Sequence, residues 1–252
     1  MAVRQMHEFF ILFLKVAVTS KMNIVFILGF PLVYMLFISA SWLHNNPSQE
    51  EFMSVLMIFL SIQVFIMSMQ TIANLILHRE SGFFKMFKFI AGAKWPIILG
   101  QMLANLLFLV INASILTFVT SLLFGQFHVS ILFIPVLFVM ITLIPATFAL
   151  MWLLMLKIKQ ESISAIISIS IFFVIFLTFN NFVPDQYAIP FTIVNPAFYS
   201  YQSGLFLLEL FSYPQNEATI PAYTLFAIGI LYVAAGVLFI QRTRIVSTVL
   251  RT

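Results

Sequence analysis

The sequence has no cysteine and very little charge: of its 252 residues, only 8% are Asp, Glu, Lys or Arg. Without thiols it can form neither a disulfide framework nor a thiolate metal site. A water-soluble domain carries about a quarter charged residues, so this chain cannot clothe a water-facing surface. No basic, aromatic-interleaved and water-soluble segment of the nucleic-acid-binding kind occurs, although the net charge is +4. Also missing are a G-x-x-x-x-G-K-[ST] phosphate loop, a Ser–His–Asp set on an exposed framework, and a His/Asp/Glu cluster at metal spacing. The residues therefore point to no catalytic group, no metal site and no cofactor held by this chain.

What the chain does have is apolar length: 62% of the residues are hydrophobic and 31 are Phe. A helix crosses a bilayer core with about 20 mainly apolar residues. The intervals between charges give six such stretches, at about 23–42, 53–77, 97–123, 131–156, 162–182 and 222–240. The third and fourth share a run of 62 residues without Asp, Glu, Lys or Arg, divided by Gly125-Gln126-Phe127-His128. The fold class expected is an all-α polytopic membrane protein in one transmembrane domain over 1–252. The first stretch, ending in Ser39-Ala40-Ser41, is longer than the 7–15 residues of a signal-peptide core and reads as a retained span.

Six spans put both termini on one side. All 12 basic residues fall on that side with Glu8, Glu80 and Glu161, a net +9. The opposite connections hold Glu50, Glu51, Asp185, Glu209 and Glu217 with no Lys or Arg, a net −5. By the positive-inside rule the basic side is cytoplasmic, which gives a cell-membrane protein with cytoplasmic termini.

Three segments are more than spans. Residues 2–20 read as an amphipathic interfacial helix, with Arg4, Glu8, Lys15 and Thr19 on one face and Val3, Met6, Phe10, Phe13, Leu14 and Ala17 elsewhere. Either it anchors the chain or it is a lever touching a cytoplasmic partner. Residues 78–95 mix charge with Phe83, Phe84, Phe87, Phe89 and Ile90 between Gly82 and Gly92, and Pro96 suits the next first turn. This segment is either a loop on lipid headgroups or a docking knob for a soluble partner. Residues 183–221 carry five prolines and many aromatics, and read as short helices dipping back into the outer leaflet.

No Asp, Glu, Lys, Arg or His lies inside a proposed span, which argues against a proton-coupled carrier or a charged-ring channel. Uncharged polar residues do form stripes: Gln63, Gln70 and Asn74 in the second span; Gln101, Asn105 and Asn112 in the third; Ser164 and Ser168 in the fifth. They are either hydrogen-bonding glue between helices or the lining of a substrate route. Gly229 and Gly236, a heptad apart, suggest a close-packing face.

With six spans, the N-terminal helix, Pro31 in Gly29-Phe30-Pro31-Leu32, and Arg79-Glu80-Ser81-Gly82 followed by Pro96, the chain resembles the type 2 ABC-transporter permeases. These are the membrane subunits of many bacterial exporters. The resemblance implies that residues 79–94 act as a coupling helix seated in a groove of a separate ATPase, carried by Arg79, Glu80, Gly82, Phe83, Phe84, Lys85, Phe87 and Lys88. It further implies two ATPase subunits, which would hold the ATP and Mg, and a second permease chain, identical or related. The route would lie between spans two and five, which favours Gln63, Gln70, Asn74, Ser164 and Ser168 as lining. Within the family the chain is similar to the peptide-toxin exporters of the phenol-soluble modulin type. An uncharged route suits an amphipathic or hydrophobic cargo, with small drugs or lipid-like molecules as competitors. A membrane subunit that binds a partner without transporting anything is the alternative from another class.

Overall fold

The computed structural model describes residues 2–19, 25–156, 162, 165, 166, 168–170, 172, 187–213 and 220–243. Among them every regular element is helical: α1 (Ala2–Thr19), α2 (Phe30–Ile38), α3 (Gln49–Glu80), α4 (Phe83–Ala91), α5 (Trp95–Leu123), α6 (Val129–Ala149), α7 (Ala188–Val194), α8 (Pro196–Leu210) and α9 (Ala222–Arg242). Short π or 3₁₀ turns precede α2 and follow α2 and α6. Four stretches are long and apolar enough to cross a membrane: Gln49–Glu80, Trp95–Leu123, Val129–Met155 and Ala222–Arg242. They contain the second, third and sixth sequence stretches and all but the last residue of the fourth. Most of the fifth, 162–182, lies outside the described residues, Ser164 included.

The first stretch is not one continuous α-helix. A π-turn over Val25–Gly29 leads into α2, which stops at Ser39 before a 3₁₀ turn over Ala40–Leu43. Pro31 is the physical reason at the start: it has no N–H for the carbonyl four residues back, that of Ile27. Gln63 of α3 supplies the missing donor, its Nε2 lying 2.8 Å from the Ile27 oxygen.

α3 is the central post, packed by α5, α6 and α8 and buried nearly all round. It begins in a capping box, Ser48 Oγ accepting from the Glu51 N–H and Glu51 Oε2 from the Ser48 N–H, both at 3.2 Å. Glu50 and Glu51 sit in its first turn and His78 and Arg79 in its last, the order a helix dipole favours. The turn after α5 returns to the start of α3, where Gln126 Nε2 donates to the Pro47 carbonyl at 2.7 Å. The bundle thus has an acidic end, with Glu50, Glu51 and the turn 124–128, and a basic end, with Arg79, Lys85, Lys88, Lys94 and Arg242.

α7 and α8 form a hairpin that descends from the acidic end and returns to it. A Cβ on Gly204 would lie 3.3 Å from Phe138 and 3.4 Å from Met57, which sets that point of α8 beside the outer third of α3. Ala197, seven residues back, is about 10 Å deeper at the helical rise. It joins the inner core with Phe65, from the middle of α3. Tyr232, at the middle of α9, donates its hydroxyl to the Thr192 carbonyl. Both measures place the hairpin tip, Asn195-Pro196, halfway along the bundle. Free N–H groups there would lack a partner, and the sequence removes them: Pro196 has none, and Asn195 Oδ1 accepts from Ala197 N at 3.0 Å and Phe198 N at 3.3 Å.

α9 closes on α6 at Gly236 and on α8 at Gly229. A Cβ on Gly236 would sit 2.5 Å from Phe148 Cδ1 and 2.7 Å from its carbonyl oxygen; one on Gly229 would sit 2.7 Å from the Tyr199 hydroxyl. These two positions are a close-packing face.

Candidate functional site

At the basic end four helix ends are tied together by two cations. Arg79 is 2% exposed. Its Nε pairs with Glu80 Oε1 at 2.7 Å, one terminal nitrogen donates to the Leu154 carbonyl, and the other lies 3.1 Å from the Leu156 carbonyl. Lys94 Nζ donates to the carbonyls of Ile240, Gln241 and Thr243 at 3.2, 3.3 and 2.6 Å, and so caps the end of α9. Partial burial, and then the charge of Lys88, lower the Lys94 pKa from the usual lysine value. Phe84 of α4 packs between these two clamps, against Leu75, Ile98 and Leu154.

α4 rests on this plate between two left-handed glycines, Gly82 at φ 83° and Gly92 at φ 69°, which residues with a Cβ rarely tolerate. Phe84 and Ala91 point inward. Phe87 is half-buried in an aromatic cluster with Phe9 and Phe13 of α1 and His78 of α3, at centroid distances of 5.4, 6.3 and 5.7 Å. The outward face shows Phe83, Lys85, Met86, Phe89 and Ile90, with Phe89 91% exposed. Gly82, Lys85, Met86, Lys88, Phe89 and Gly92 line a shallow hollow of about 670 Å³ there. Lys85, Lys88 and Lys94 have no acidic neighbour in the sequence 81–95.

α1 runs beside α5 and also meets α4. A Cβ on Gly100 would lie 2.8 Å from Phe9 Cβ and about 3 Å from α1 backbone, and Gln5 Nε2 reaches the Ile90 carbonyl at 3.4 Å. Its outward strip is mixed: Arg4, Glu8, Lys15 and Thr19 are exposed as the sequence suggests, but so are Val3, Leu12, Val16 and Val18. Val3 therefore does not belong with the inward-facing apolar set.

The eight residues assigned to coupling divide in two. Phe83 and Lys85 are exposed, Phe87 and Lys88 are half-buried, and Gly82 is a bracket; Arg79, Glu80 and Phe84 face inward and hold the others in place. A basic residue beside a polar loop reads as solvent-facing, and only the carbonyls of Leu154 and Leu156, remote in sequence, turn Arg79 inward.

The polar stripes are drawn mainly into helix contacts. Asn105 Nδ2 donates to Thr71 Oγ1 at 2.6 Å, linking α5 to α3, and Thr147 Oγ1 donates to Ser68 Oγ at 3.1 Å, linking α6 to α3. Asn112 Nδ2 bonds the Phe108 carbonyl within its own helix. Gln63 is buried against Ile27, its Oε1 without a partner, and is a tie between helices, not an open lining group. Gln70 and Asn74 lie on the least buried strip of α3, with Ile66 and Leu77. Ser168 is exposed. Among the described residues no three His, Asp or Glu side chains gather at metal-binding distance.

Sequence reasoning missed the Lys94 clamp and the Asn195 cap. The second had a signal, Asn followed directly by Pro, the pattern of an N-cap and first helical turn. Comparison with protein-family models, curated proteins and solved structures finds no match to the chain.

Proposed function

We propose that this chain is the membrane subunit of an ATP-driven exporter of the type 2 ABC-permease class, with its basic end in the cytoplasm. The observation that carries the reading is α4: an exposed apolar and basic face on a short helix fixed at both ends by glycine and seated on a buried plate joining α3, α5, α6 and α9. A loop spread on headgroups needs no such mounting; a helix that receives force from a soluble partner does. In this reading two ATPase subunits bind ATP and Mg and push on α4 of two permease chains. The stretches 23–42 and 162–182 complete six spans, and both termini are cytoplasmic. The cargo is amphipathic or hydrophobic, because Gln70 and Asn74 give the least buried strip of α3 amides but no charge. A peptide toxin fits that chemistry.

An amine-reactive crosslinker applied in native membranes, followed by mass spectrometry, tests the partner. Lys85 and Lys88 should link to a P-loop ATPase. Lys94, whose amine is taken up by three carbonyls, should react least. Partners found only on the acidic end, or none, would overturn the exporter reading. Export of an amphipathic peptide that continues unchanged without the gene would overturn the cargo.

A further inference from the structure

Between α6 and α9, away from the basic plate, lies a groove of about 410 Å³. Its floor is Gly229, Pro145 and the ring of Tyr199, and its rims are Ile141 on one side and Phe226 and Ile230 on the other. Val233 and Ala234 close its inner end. The hollow has a sequence cause: glycine and alanine leave no bulk on α9 where bulky residues flank them, and Pro145 interrupts the regular ladder of α6. Apart from the Tyr199 ring and its hydroxyl, every lining residue is apolar.

Both walls belong to stretches long and apolar enough to cross a membrane, and the groove lies well inside their ends. Ile141, Phe226 and Ile230 are 46%, 73% and 55% exposed, so it opens outward, not toward the core. An empty apolar hollow forfeits contact on every wall, so an apolar occupant at that depth is favoured. The medium on that side is the bilayer. We propose that the groove is a binding site for one hydrocarbon chain of a membrane lipid, held between α6 and α9. A volume of about 410 Å³ suits a single chain and is too small for a folded peptide, and no charged or amide side chain lines it to hold a polar ligand. This rests on the membrane location of the helices and not on the ATPase reading.

The test is native mass spectrometry of the full chain extracted from its own membranes and washed in detergent. The wild type should retain one phospholipid mass per chain. Ala234→Phe, which fills the groove from an exposed position, should lose that mass; Leu238→Phe, exposed on α9 outside the groove, should keep it. Should the larger side chain disturb folding, Ala234→Leu gives the same reading with less bulk. A wild type without retained lipid, or lipid retained equally in both fillers, overturns the site. Loss of a dimer mass in Ala234→Phe would also overturn it, because the occupant would then be a second copy of the chain.

Discussion

The guanidinium of Arg79 reaches the Leu154 carbonyl across 75 positions of sequence, with Leu156 accepting its second terminal nitrogen and Glu80 its Nε. One side chain thereby closes the end of α3 onto the turn that follows α6. The last carbonyls of a helix have no partner in their own ladder, and here a cation from another helix serves the residues just beyond α6. Breaking such a pair is costly because the remaining charge stays buried. Arg79→Leu should lower stability by about 3–5 kcal/mol, while Arg79→Lys, with one nitrogen for two carbonyls, should fall between. Thermal unfolding in detergent checks this; a midpoint unchanged in Arg79→Leu would show that the clamp carries no load.

The glycines of α9 predict a graded response. At Gly236 a new methyl meets the Phe148 backbone carbonyl, which can move only with α6; at Gly229 it meets the end of a tyrosine ring. Overpacking costs about 1–3 kcal/mol, so Gly236→Ala should lie at the upper end and Gly229→Ala at the lower. Equal small effects at both positions, in the same unfolding assay, would mean that α6 and α9 are less tightly apposed than described.

Asn195 makes the third case. Asn195→Ala leaves the N–H groups of Ala197 and Phe198 unpaired halfway along the bundle, at about 1–3 kcal/mol. Asn195→Ser retains an acceptor and should recover most of the loss. Hydrogen exchange at Ala197 and Phe198 gives a local readout. Protection that survives in Asn195→Ala would show that another group caps α8.

Charge-free intervals located the long helices because lipid leaves few alternatives, yet they cut α3 short. The span expected at 53–77 leaves Glu50 and Glu51 in a connection, whereas Ser48 and Glu51 form the capping box that starts the helix at Gln49. The brackets Gly82 and Gly92 were legible, since a left-handed cap wants glycine. The depth of the α7–α8 hairpin is less so: residues 183–221 read as short helices dipping into the outer leaflet, and the burial of Tyr199, Tyr201 and Gln202 follows only from where α3, α6 and α9 leave room. Of the polar stripes, Gln63 illustrates the limit. Its spacing to Gln70 and Asn74 is regular, but Pro31 turns it to Ile27, and no helical wheel of α3 contains Pro31.

The sharpest division falls on α4, where neighbouring phenylalanines have opposite assignments. Phe84 is buried between the two clamps, so Phe84→Ala should cost about 3–5 kcal/mol and lower the yield of folded chain. Phe89 is almost wholly exposed, so Phe89→Ala should change stability by no more than about 0.5 kcal/mol. In the proposed complex its effect appears elsewhere. An exposed aromatic that anchors an interface loses about 2 kcal/mol or more of binding when truncated, so co-purification with the ATPase should fall by well over tenfold. Lys85→Glu with Lys88→Glu should also weaken association, by reversing the charge on the same hollow, and more strongly at low salt than at high. Measuring the unfolding midpoint and the recovered ATPase in one preparation separates the roles. A Phe89→Ala chain that folds normally and still brings down its full share of ATPase would remove α4 as the docking face.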